Sequence, residues 1–240
     1  MILQYINVNG FYKTGPKTSQ NPHGVTTARQ LITKLFATHQ PDLLFLAEFD
    51  PNSPAGLVAT NLLARQGYYP LYPNGEQRIA PWYTSCVVRF CRQRLPSAPS
   101  PAGTLAYKWN QVQLGRHCVV GVHIPSSLHQ RGMACAFWQA MCRHRSQNSH
   151  SKLIYLGDMN VFDNGTPGKA YFNRLCAHMQ DGWRLCNPNS SEDTGYTCLT
   201  GKRIDYALLA NIGPGARVTC DQSYYQTGLT DHALLTLYLP

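Results

Sequence analysis

Short apolar runs that end in polar side chains recur along the chain and predict β-strands. Residues 2–8 alternate in character and break into Asn9-Gly10, which indicates a first strand followed by a turn. A continuous apolar run over residues 43–47 leads into Glu48, and another over residues 153–156 leads into Gly157 and Asp158. Further strand-like stretches cover residues 68–72, 83–89, 105–114, 118–122 and 233–239.

Apolar residues at helical spacing separate several of these strands. After a predicted loop over residues 11–24, the spacing begins near Thr27, with Thr26 or Thr27 as the expected N-cap, and continues through Ala28, Leu31, Ile32, Leu35 and Phe36. Ser53-Pro54 opens a second helix that we expect to end near Gly67, and two more helices are predicted at residues 128–145 and 169–179. Because helices are interspersed among a larger number of strands, the pattern predicts a layered α/β or α+β sandwich, with residues 1–240 as one domain.

The charge balance favours a polyanionic partner. The 240 residues carry 21 Lys and Arg against 12 Asp and Glu, a formal net charge of +9. A surface of this sign attracts phosphate polyanions such as nucleic acids, and also anionic membranes. Small basic proteins have many other functions, so the charge alone does not decide the partner.

The cysteines and the N-terminal residues indicate which cellular compartment to expect for the protein. The nine cysteines form no CxxC pair, so the sequence indicates neither a zinc site nor a disulfide framework. The N-terminal residues show no secretory signal, and no apolar run approaches membrane-spanning length. We therefore expect an intracellular protein, cytoplasmic or nuclear, without a membrane span, and the sequence indicates no obligate protein partner.

Polar groups collect where the predicted strands end. Asp158 and Asn160 are two residues apart, a spacing that places both side chains on one side of an extended backbone. The other candidates at strand ends or within strands are Asn7, Glu48, His123, Asp205, Asp231 and His232. Four of the 12 acids are in this set, and a buried carboxylate without compensation is costly. Oxygen ligands from Glu48, Asp231 and the amide of Asn7 suit Mg²⁺ or Mn²⁺.

Each of these residues also has an ordinary structural interpretation. A His after an Asp is usually part of a surface turn, an Asp before a Tyr in a strand is often an edge charge, and Asn7 is suited to capping a turn. The stretch strand-Gly-Asp-x-Asn is also compatible with an ordinary strand end. The functional interpretation depends on all of these segments meeting at one place.

The order of the motifs resembles a known family. The motifs are Asn7-Val8-Asn9-Gly10, Glu48, Gly157-Asp158-Met159-Asn160, Arg203-Ile204-Asp205-Tyr206 and Thr230-Asp231-His232. This order, over nearly the whole chain, is similar to that of the endonuclease/exonuclease/phosphatase superfamily, which includes deoxyribonuclease I and the exonuclease III-type AP endonucleases. The resemblance implies a four-layer fold of two packed mixed β-sheets flanked by helices, and a metal-dependent phosphodiesterase or phosphatase site.

The resemblance also implies a role for each motif residue. Glu48 would hold the metal, helped by Asn7 and Asp231, while Asp158 would act on the attacking water and Asn160 would fix that carboxylate. His232, hydrogen-bonded to Asp205, would stabilise the charge that develops on the scissile phosphate. The flanking residues Asn9, Arg203 and Tyr206 are the candidates for substrate binding.

Some positions depart from the AP endonuclease pattern. Where those enzymes carry Tyr-x-Pro-Asn, this chain has His123-Ile124-Pro125-Ser126, which is closer to deoxyribonuclease I-like members. His123 would then donate a proton to the leaving oxygen or hold the phosphate. Leu46 and Thr230 also differ from the commoner Gln and Ser. These departures weaken the case for abasic-site specificity and leave the phosphate chemistry intact.

The substrate is the least constrained part of the prediction. Nucleases, deadenylases, sphingomyelinases and inositol-phosphate phosphatases share this chemistry. Cations with neighbouring aromatic residues suggest nucleic acid, at Arg89, Arg92 and Arg94, at Arg143 and Arg145, and around Tyr68-Tyr69 and Lys108-Trp109. We expect a nuclease of the endonuclease type, acting on DNA in preference to RNA. The alternative is a phosphohydrolase of the same fold that acts on a lipid or small-molecule phosphate ester.

Overall fold

The computed structural model of the protein describes residues 1–12, 24–76, 84–162, 165–190 and 195–240. Most of the predicted loop 11–24, and Tyr83 at the start of one predicted strand, lie outside these residues. Within them the strands are β1 (Ile2–Asn7), β2 (Leu43–Phe49), β3 (Tyr69–Leu71), β4 (Cys86–Cys91), β5 (Ser97–Ala98), β6 (Trp109–Leu114), β7 (His117–His123), β8 (Lys152–Asp158), β9 (Gln180–Asp181), β10 (Asp205–Ala210), β11 (Arg217–Asp221) and β12 (Leu234–Tyr238).

Six helices connect or flank these strands in the described residues. They are α1 (Gly24–Thr38), α2 (Pro54–Arg65), α3 (Arg131–Gln147), α4 (Lys169–Cys176), α5 (Gly182–Cys186) and α6 (Ser223–Gln226). The predicted start of α2 is confirmed, because the Ser53 hydroxyl accepts a hydrogen bond from the Gly56 N–H at 3.0 Å. The predicted cap of α1 is wrong: the helix already includes Gly24, so Thr26 and the buried Thr27 lie within it.

The strands form two six-stranded mixed sheets, as predicted. The first has the order β11-β12-β1-β2-β4-β3 and the second β5-β6-β7-β8-β10-β9. Helices α1 and α2 pack on the outer face of the first sheet, where Leu31 and Leu35 meet Leu44 and Leu46. Helices α3 and α4 cover the second sheet. The chain is therefore a four-layer sandwich of helices, two sheets and helices.

The inner faces of the two sheets form the central core. Tyr5 and Phe45 from the first sheet pack with Ile154 and Leu156 from the second, all fully buried. Close packing here requires a glycine in β7, because a Cβ on Gly121 would lie 2.4 Å from the Phe45 ring. The central core fixes the distance between the sheets, and so the distance between the side chains at their common edge.

Elements without a strong apolar pattern were not predicted. The edge strand β11 and the short helices α5 and α6 have few fully buried residues, so their sequences lack a clear periodicity. Among the described residues, none of the helices combines the length and apolar character needed to cross a membrane.

Candidate active site at the common edge of the sheets

The strand directions bring the predicted residues to one edge of the sandwich. In the first sheet β1 and β2 are parallel, and Asn7 at the end of β1 pairs with Ala47, the residue before Glu48. In the second sheet β7 and β8 are also parallel, and their last residues, His123 and Asp158, are paired. The antiparallel strand β10 begins at this edge, because Asp205 pairs with Asp158.

Asn7 connects the two sheets at this edge. Its Nδ2 donates to Glu48 Oε1 and to Asp158 Oδ2, both at 3.2 Å, while its Oδ1 accepts from the Asn9 N–H at 3.0 Å. The Thr230 hydroxyl donates to the Asn7 carbonyl oxygen at 2.7 Å. Because Asn7 is fully buried and hydrogen-bonded on both sides of its amide, it holds the two carboxylates at a fixed separation.

Three candidate residues have left-handed backbone conformations. The φ angles of Asn9, Glu48 and Asn160 are 46°, 49° and 48°. A non-glycine residue in this region is uncommon and costs about 1 kcal/mol or more. Each of the three lies at or just beyond the end of a strand. Three of the six non-glycine residues with positive φ among the described residues therefore belong to the predicted site.

Hydrogen bonds fix both the backbone and the carboxyl group of Asp158, and charged groups lie close to it. Its N–H donates to the Tyr5 hydroxyl at 3.0 Å, and that hydroxyl donates to the Val122 carbonyl oxygen at 3.0 Å. Its Oδ1 accepts from the Asn160 N–H at 3.0 Å. Burial, followed by the charge of Asp205, raises the pKa of the Asp158 carboxyl to about 7, although His232 and the hydrogen bonds act in the opposite direction. A carboxyl with such a pKa can exchange protons near neutral pH.

Gly157 precedes this carboxylate for a packing reason. A Cβ on Gly157 would lie 2.0 Å from the carbonyl oxygen of Val122 in the neighbouring strand β7. Only glycine allows β7 and β8 to approach each other this closely at the site. The glycine thus accommodates the neighbouring backbone.

His232 and Asp205 form a buried hydrogen-bonded pair. His232 Nδ1 lies 2.9 Å from Asp205 Oδ2, and His232 Nε2 lies 3.8 Å from Asp158 Oδ2. Burial disfavours the charged ring, but the carboxylates of Asp205, Asp158 and Asp231 outweigh it and raise the pKa of His232 to about 10. The imidazole is therefore a cation at neutral pH, with Nδ1–H donated to Asp205 and Nε2–H directed at the site.

His123 occupies the other side of Asp158. Its Nε2 lies 3.9 Å from Asp158 Oδ2 and 3.6 Å from Glu48 Oε1, and its Nδ1 lies 2.9 Å from Lys108 Nζ. Two imidazoles and one amide thus direct nitrogen atoms at a single carboxylate oxygen, Asp158 Oδ2. This convergence is the defining feature of the site.

The carboxylate oxygens and the net charge of the site fit a divalent cation. Four carboxyl groups, those of Glu48, Asp158, Asp205 and Asp231, face two cationic side chains, His232 and Lys108, which leaves an excess of negative charge. Oxygen ligands and this excess are the conditions that Mg²⁺ or Mn²⁺ requires. Among the described residues, Asp158, Asp205 and His232 also bring ligand atoms within 4.8 Å of one another. The 2.9 Å bond between His232 and Asp205 identifies that group as a hydrogen-bonded pair beside the carboxylates.

The remaining candidates lie around this centre. Asp231 Oδ1 is 3.9 Å from His232 Nε2, and the Asn160 Nδ2 donates to the Ile124 carbonyl oxygen at 2.8 Å. Arg203 and Tyr206 are buried beside the site, where Arg203 pairs with Asp181 at 2.7 Å and Tyr206 donates to the Val161 carbonyl oxygen. Substrate contact by Asn9, Arg203 and Tyr206 stays a prediction.

Most of the predicted cationic patches are buried or lie away from the common edge of the sheets. Arg89 is fully buried and donates to the Gln111 carbonyl oxygen and the Ser97 hydroxyl. Strand β4 starts at the site edge, because Cys86 pairs with Phe49, so Arg92 and Arg94 follow its far end. Arg143 and Arg145 likewise lie near the start of β8, at the end opposite Asp158. The sequence gives no strand directions, which is why the patches were indistinguishable.

Tyr5 and Thr197 support the site without having been predicted, and Lys108, which was predicted as part of a cationic patch, supports it in a different way. Tyr5 holds the Asp158 backbone, Lys108 contacts His123, and the Thr197 hydroxyl accepts from the N–H groups of Ile204 and Asp205 at 2.9 Å. The Tyr5 contact joins residues 153 positions apart in the chain, whereas Lys108 lies 15 positions before His123 and Thr197 lies 8 positions before Asp205. Tyr5 looked like an ordinary strand residue, and no local signal distinguishes it.

Solved structures of several other proteins have this fold. A Neisseria 3′ phosphatase, NExo, solved with a product DNA hairpin, is 17% identical with a TM-score of 0.74, over 100% of this chain and 99% of that chain. An AP endonuclease from Archaeoglobus fulgidus is 15% identical with a TM-score of 0.72, over 100% and 99%. TDP2 from C. elegans is 15% identical with a TM-score of 0.70, over 98% and 74%.

Sequence comparison gives a family match. Curated protein sequences include no match to the chain. A family model does match, described as the Endonuclease/Exonuclease/phosphatase family, over residues 5–232. This span begins at Tyr5 and ends at His232, so it includes every predicted site residue. The chain belongs to the endonuclease/exonuclease/phosphatase family.

Proposed function

We propose that the protein is a divalent-metal-dependent phosphodiesterase that cleaves the backbone of nucleic acid, with DNA preferred to RNA. The observation that carries the proposal is the convergence on Asp158 Oδ2 of Asn7 Nδ2 at 3.2 Å, His232 Nε2 at 3.8 Å and His123 Nε2 at 3.9 Å. A buried carboxylate surrounded by hydrogen-bond donors suits the positioning of a water against a phosphate.

The metal would be held by Glu48, with Asn7 and Asp231 as the further ligands. When bound, Mg²⁺ or Mn²⁺ supplies neutralisation of the phosphoryl oxygens and polarises the phosphorus for attack. Asn7 presents its amide nitrogen to Glu48 and Asp158, so an oxygen ligand from this residue requires the amide to turn over. Glu48 is the ligand that we regard as indispensable.

The protein residues would orient the water and hold the developing charge. Asp158 accepts a hydrogen bond from the attacking water and takes its proton as the new P–O bond forms. The P–O bond to the leaving oxygen breaks in the same step, and that oxygen takes a proton from solvent water. Its raised pKa, about 7, matches this role near neutral pH. His232, cationic and fixed by Asp205, donates from Nε2 to a phosphate oxygen and opposes the charge that accumulates there.

An exposed cation on the site edge supports a polymeric substrate. Lys202 places its Nζ 3.8 Å from the centre of the Phe162 ring. Lys202 is three residues before Asp205, and Phe162 is two after Asn160, so this pair borders the site. A cation beside an aromatic ring suits a phosphate and its neighbouring base. The DNA hairpin in the NExo structure supports DNA as the polymer.

Three polymers and two small substrates would test the proposal. The purified protein is incubated with supercoiled plasmid, single-stranded DNA and RNA, with and without Mg²⁺ or Mn²⁺, beside sphingomyelin and an inositol polyphosphate. We expect metal-dependent cleavage of DNA that falls by at least about 10³-fold in Asp158→Asn. Turnover of only the lipid or the inositol phosphate would overturn the nuclease assignment. Cleavage by folded Asp158→Asn at the wild-type rate would overturn the site.

A further inference from the structure

The two histidines beside Asp158 have second partners of opposite charge. Both aim Nε2 at Asp158 Oδ2, at 3.9 Å for His123 and 3.8 Å for His232. Both have Nδ1 fixed by another side chain at 2.9 Å, but the partner of His232 is the Asp205 carboxylate and the partner of His123 is the Lys108 ammonium. The geometry of the two rings is therefore similar, and their hydrogen-bond chemistry is reversed.

An ammonium group and a carboxylate demand different forms of the imidazole. The ammonium carries three N–H donors and no acceptor, whereas the carboxylate only accepts. His232 must therefore place a proton on Nδ1 to bond Asp205. His123 must instead present the lone pair of Nδ1 to Lys108, so the proton of its ring lies on Nε2.

We propose that Lys108 is a positioning residue that fixes the tautomer of His123, with the ring proton on Nε2 facing the reacting phosphate. This inference rests on the proposed function for its catalytic meaning, although the tautomer itself does not. Lys108 touches His123 and acts through it. His123 then serves as a hydrogen-bond donor to a phosphate oxygen, and the acceptance of the water proton is left to Asp158.

The backbone holds Lys108 and His123 together. Lys108 is the last residue of a short 3₁₀ turn whose closing bond runs from its N–H to the Leu105 carbonyl oxygen at 2.9 Å. Strand β6 follows at once, and Trp109 pairs with Val122, the residue before His123. The register of β6 and β7 therefore fixes the position of Lys108 beside His123.

Both residues of the contact between Lys108 and His123 are buried, so the contact has to offset the cost of burying the lysine charge. Lys108 is 9% exposed and His123 is 7% exposed. Lysine is among the side chains least often buried, because taking its charge out of water is costly unless partners compensate. The carboxylates of Glu48 and Asp158 lie directly beyond the His123 ring, within 3.6 and 3.9 Å of Nε2. The ammonium group beside Nδ1 and the carboxylates beside Nε2 therefore both favour the ring proton on Nε2.

Nitrogen NMR on the full-length protein tests the tautomer. The protein is labelled with ¹⁵N-histidine and recorded at pH 7 without metal or substrate, and the His123 signals are identified by their loss in His123→Gln. We expect an unprotonated Nδ1 and a protonated Nε2 for His123. In Lys108→Met the Nδ1 loses its hydrogen-bond donor, so the His123 signals should move away from their wild-type positions.

Two further variants make the outcome decisive. Lys108→Arg restores a cationic donor and should keep the wild-type His123 signals. Lys34→Met, a matched loss of a lysine that packs on the Tyr224 ring at 4.4 Å, should leave them unchanged. In a DNA cleavage assay we expect Lys108→Met to lower kcat by about 10-fold or more, with Lys108→Arg recovering most of it.

The proposal and the proposed function fail in different ways. A proton on Nδ1 of His123 in the wild-type protein, or signals unmoved in folded Lys108→Met, would overturn the role of Lys108 whatever the substrate is. Absence of nucleic-acid cleavage with the expected NMR signals would overturn the nuclease and leave the tautomer assignment standing.

Discussion

The pair formed by His232 and Asp205 gives the sharpest single prediction. Asp205→Asn removes one negative charge from a hydrogen bond of 2.9 Å and leaves the volume of the side chain almost unchanged. A hydrogen bond to a charged group contributes about 1.5–3 kcal/mol. Lost from the transition state, this amount lowers kcat/KM by about 10- to 150-fold.

The same substitution moves the pH dependence. Asp205 is the main group that raises the pKa of His232, and burial acts in the opposite direction. Without Asp205 the pKa of His232 falls, so the cationic form is lost at a lower pH. The alkaline limb of kcat/KM should therefore move toward neutral pH in the variant. Stability should fall, because the buried His232 cation loses its main partner, and the relief of the repulsion between Asp205 and Asp158 offsets only part of this loss.

The assay is initial-rate cleavage of a fluorescent DNA duplex at saturating Mg²⁺ from pH 6 to 10, with thermal unfolding measured on the same samples. Asp221→Asn is the matched control, since that exposed carboxylate accepts only the Ser223 N–H at 2.9 Å among its described bonds. The control should stay within about twofold of the wild type. A folded Asp205→Asn protein with wild-type rate and an unmoved alkaline limb would refute the role of the pair.

Three other perturbations have defined outcomes. Glu48→Gln should abolish metal-dependent cleavage and weaken the Mn²⁺ affinity measured by calorimetry; unchanged affinity would exclude Glu48 as a ligand. Gly157→Ala should destabilise the fold by about 3 kcal/mol or more in denaturant unfolding, because the new methyl group would lie 2.0 Å from the Val122 carbonyl oxygen; a stability loss under about 1 kcal/mol would contradict the close approach. Burial lowers the pKa of His144 to about 4, so its contribution to stability is present above pH 6.5 and is lost as the pH falls toward 4. Between pH 7 and 4 the wild type should therefore lose about 3 kcal/mol more unfolding free energy than His144→Gln, and equal losses would show that the ring titrates normally.

The sequence predicted those features of the site that depend on strand ends. Glu48 and Asp158 each follow a continuous apolar run, and parallel strands bring such ends to a common edge, so their convergence was predictable once the family resemblance was noted. The direction of β4 was not predictable, and this direction separates Arg92 and Arg94 from the site. Charge composition cannot distinguish a cation at the near edge from one at the far edge.

Contacts between distant segments account for the rest of what was missed. Lys108 meets His123 only because β6 and β7 pair in one register, and Tyr5 reaches Asp158 only because two sheets pack face to face. Tyr5 is not marked by its neighbours in the chain, and the aromatic neighbour of Lys108 indicated nucleic-acid contact and not a contact with His123. Supporting residues of this kind depend on tertiary packing, whereas the principal carboxylates and histidines lie in short motifs that can be recognised.

The central claim is that Asp158, at the edge of the second sheet, and His232, at the edge of the first sheet, act together on one phosphate. A double-mutant cycle with Asp158→Asn and His232→Asn, measured by single-turnover cleavage of a DNA duplex in Mg²⁺, tests it most directly. Groups that act together are strongly non-additive, so we expect the double variant to be impaired no more than about tenfold beyond the worse single variant. Losses that simply multiply, or a folded double variant that still cleaves DNA at the wild-type rate, would contradict the account.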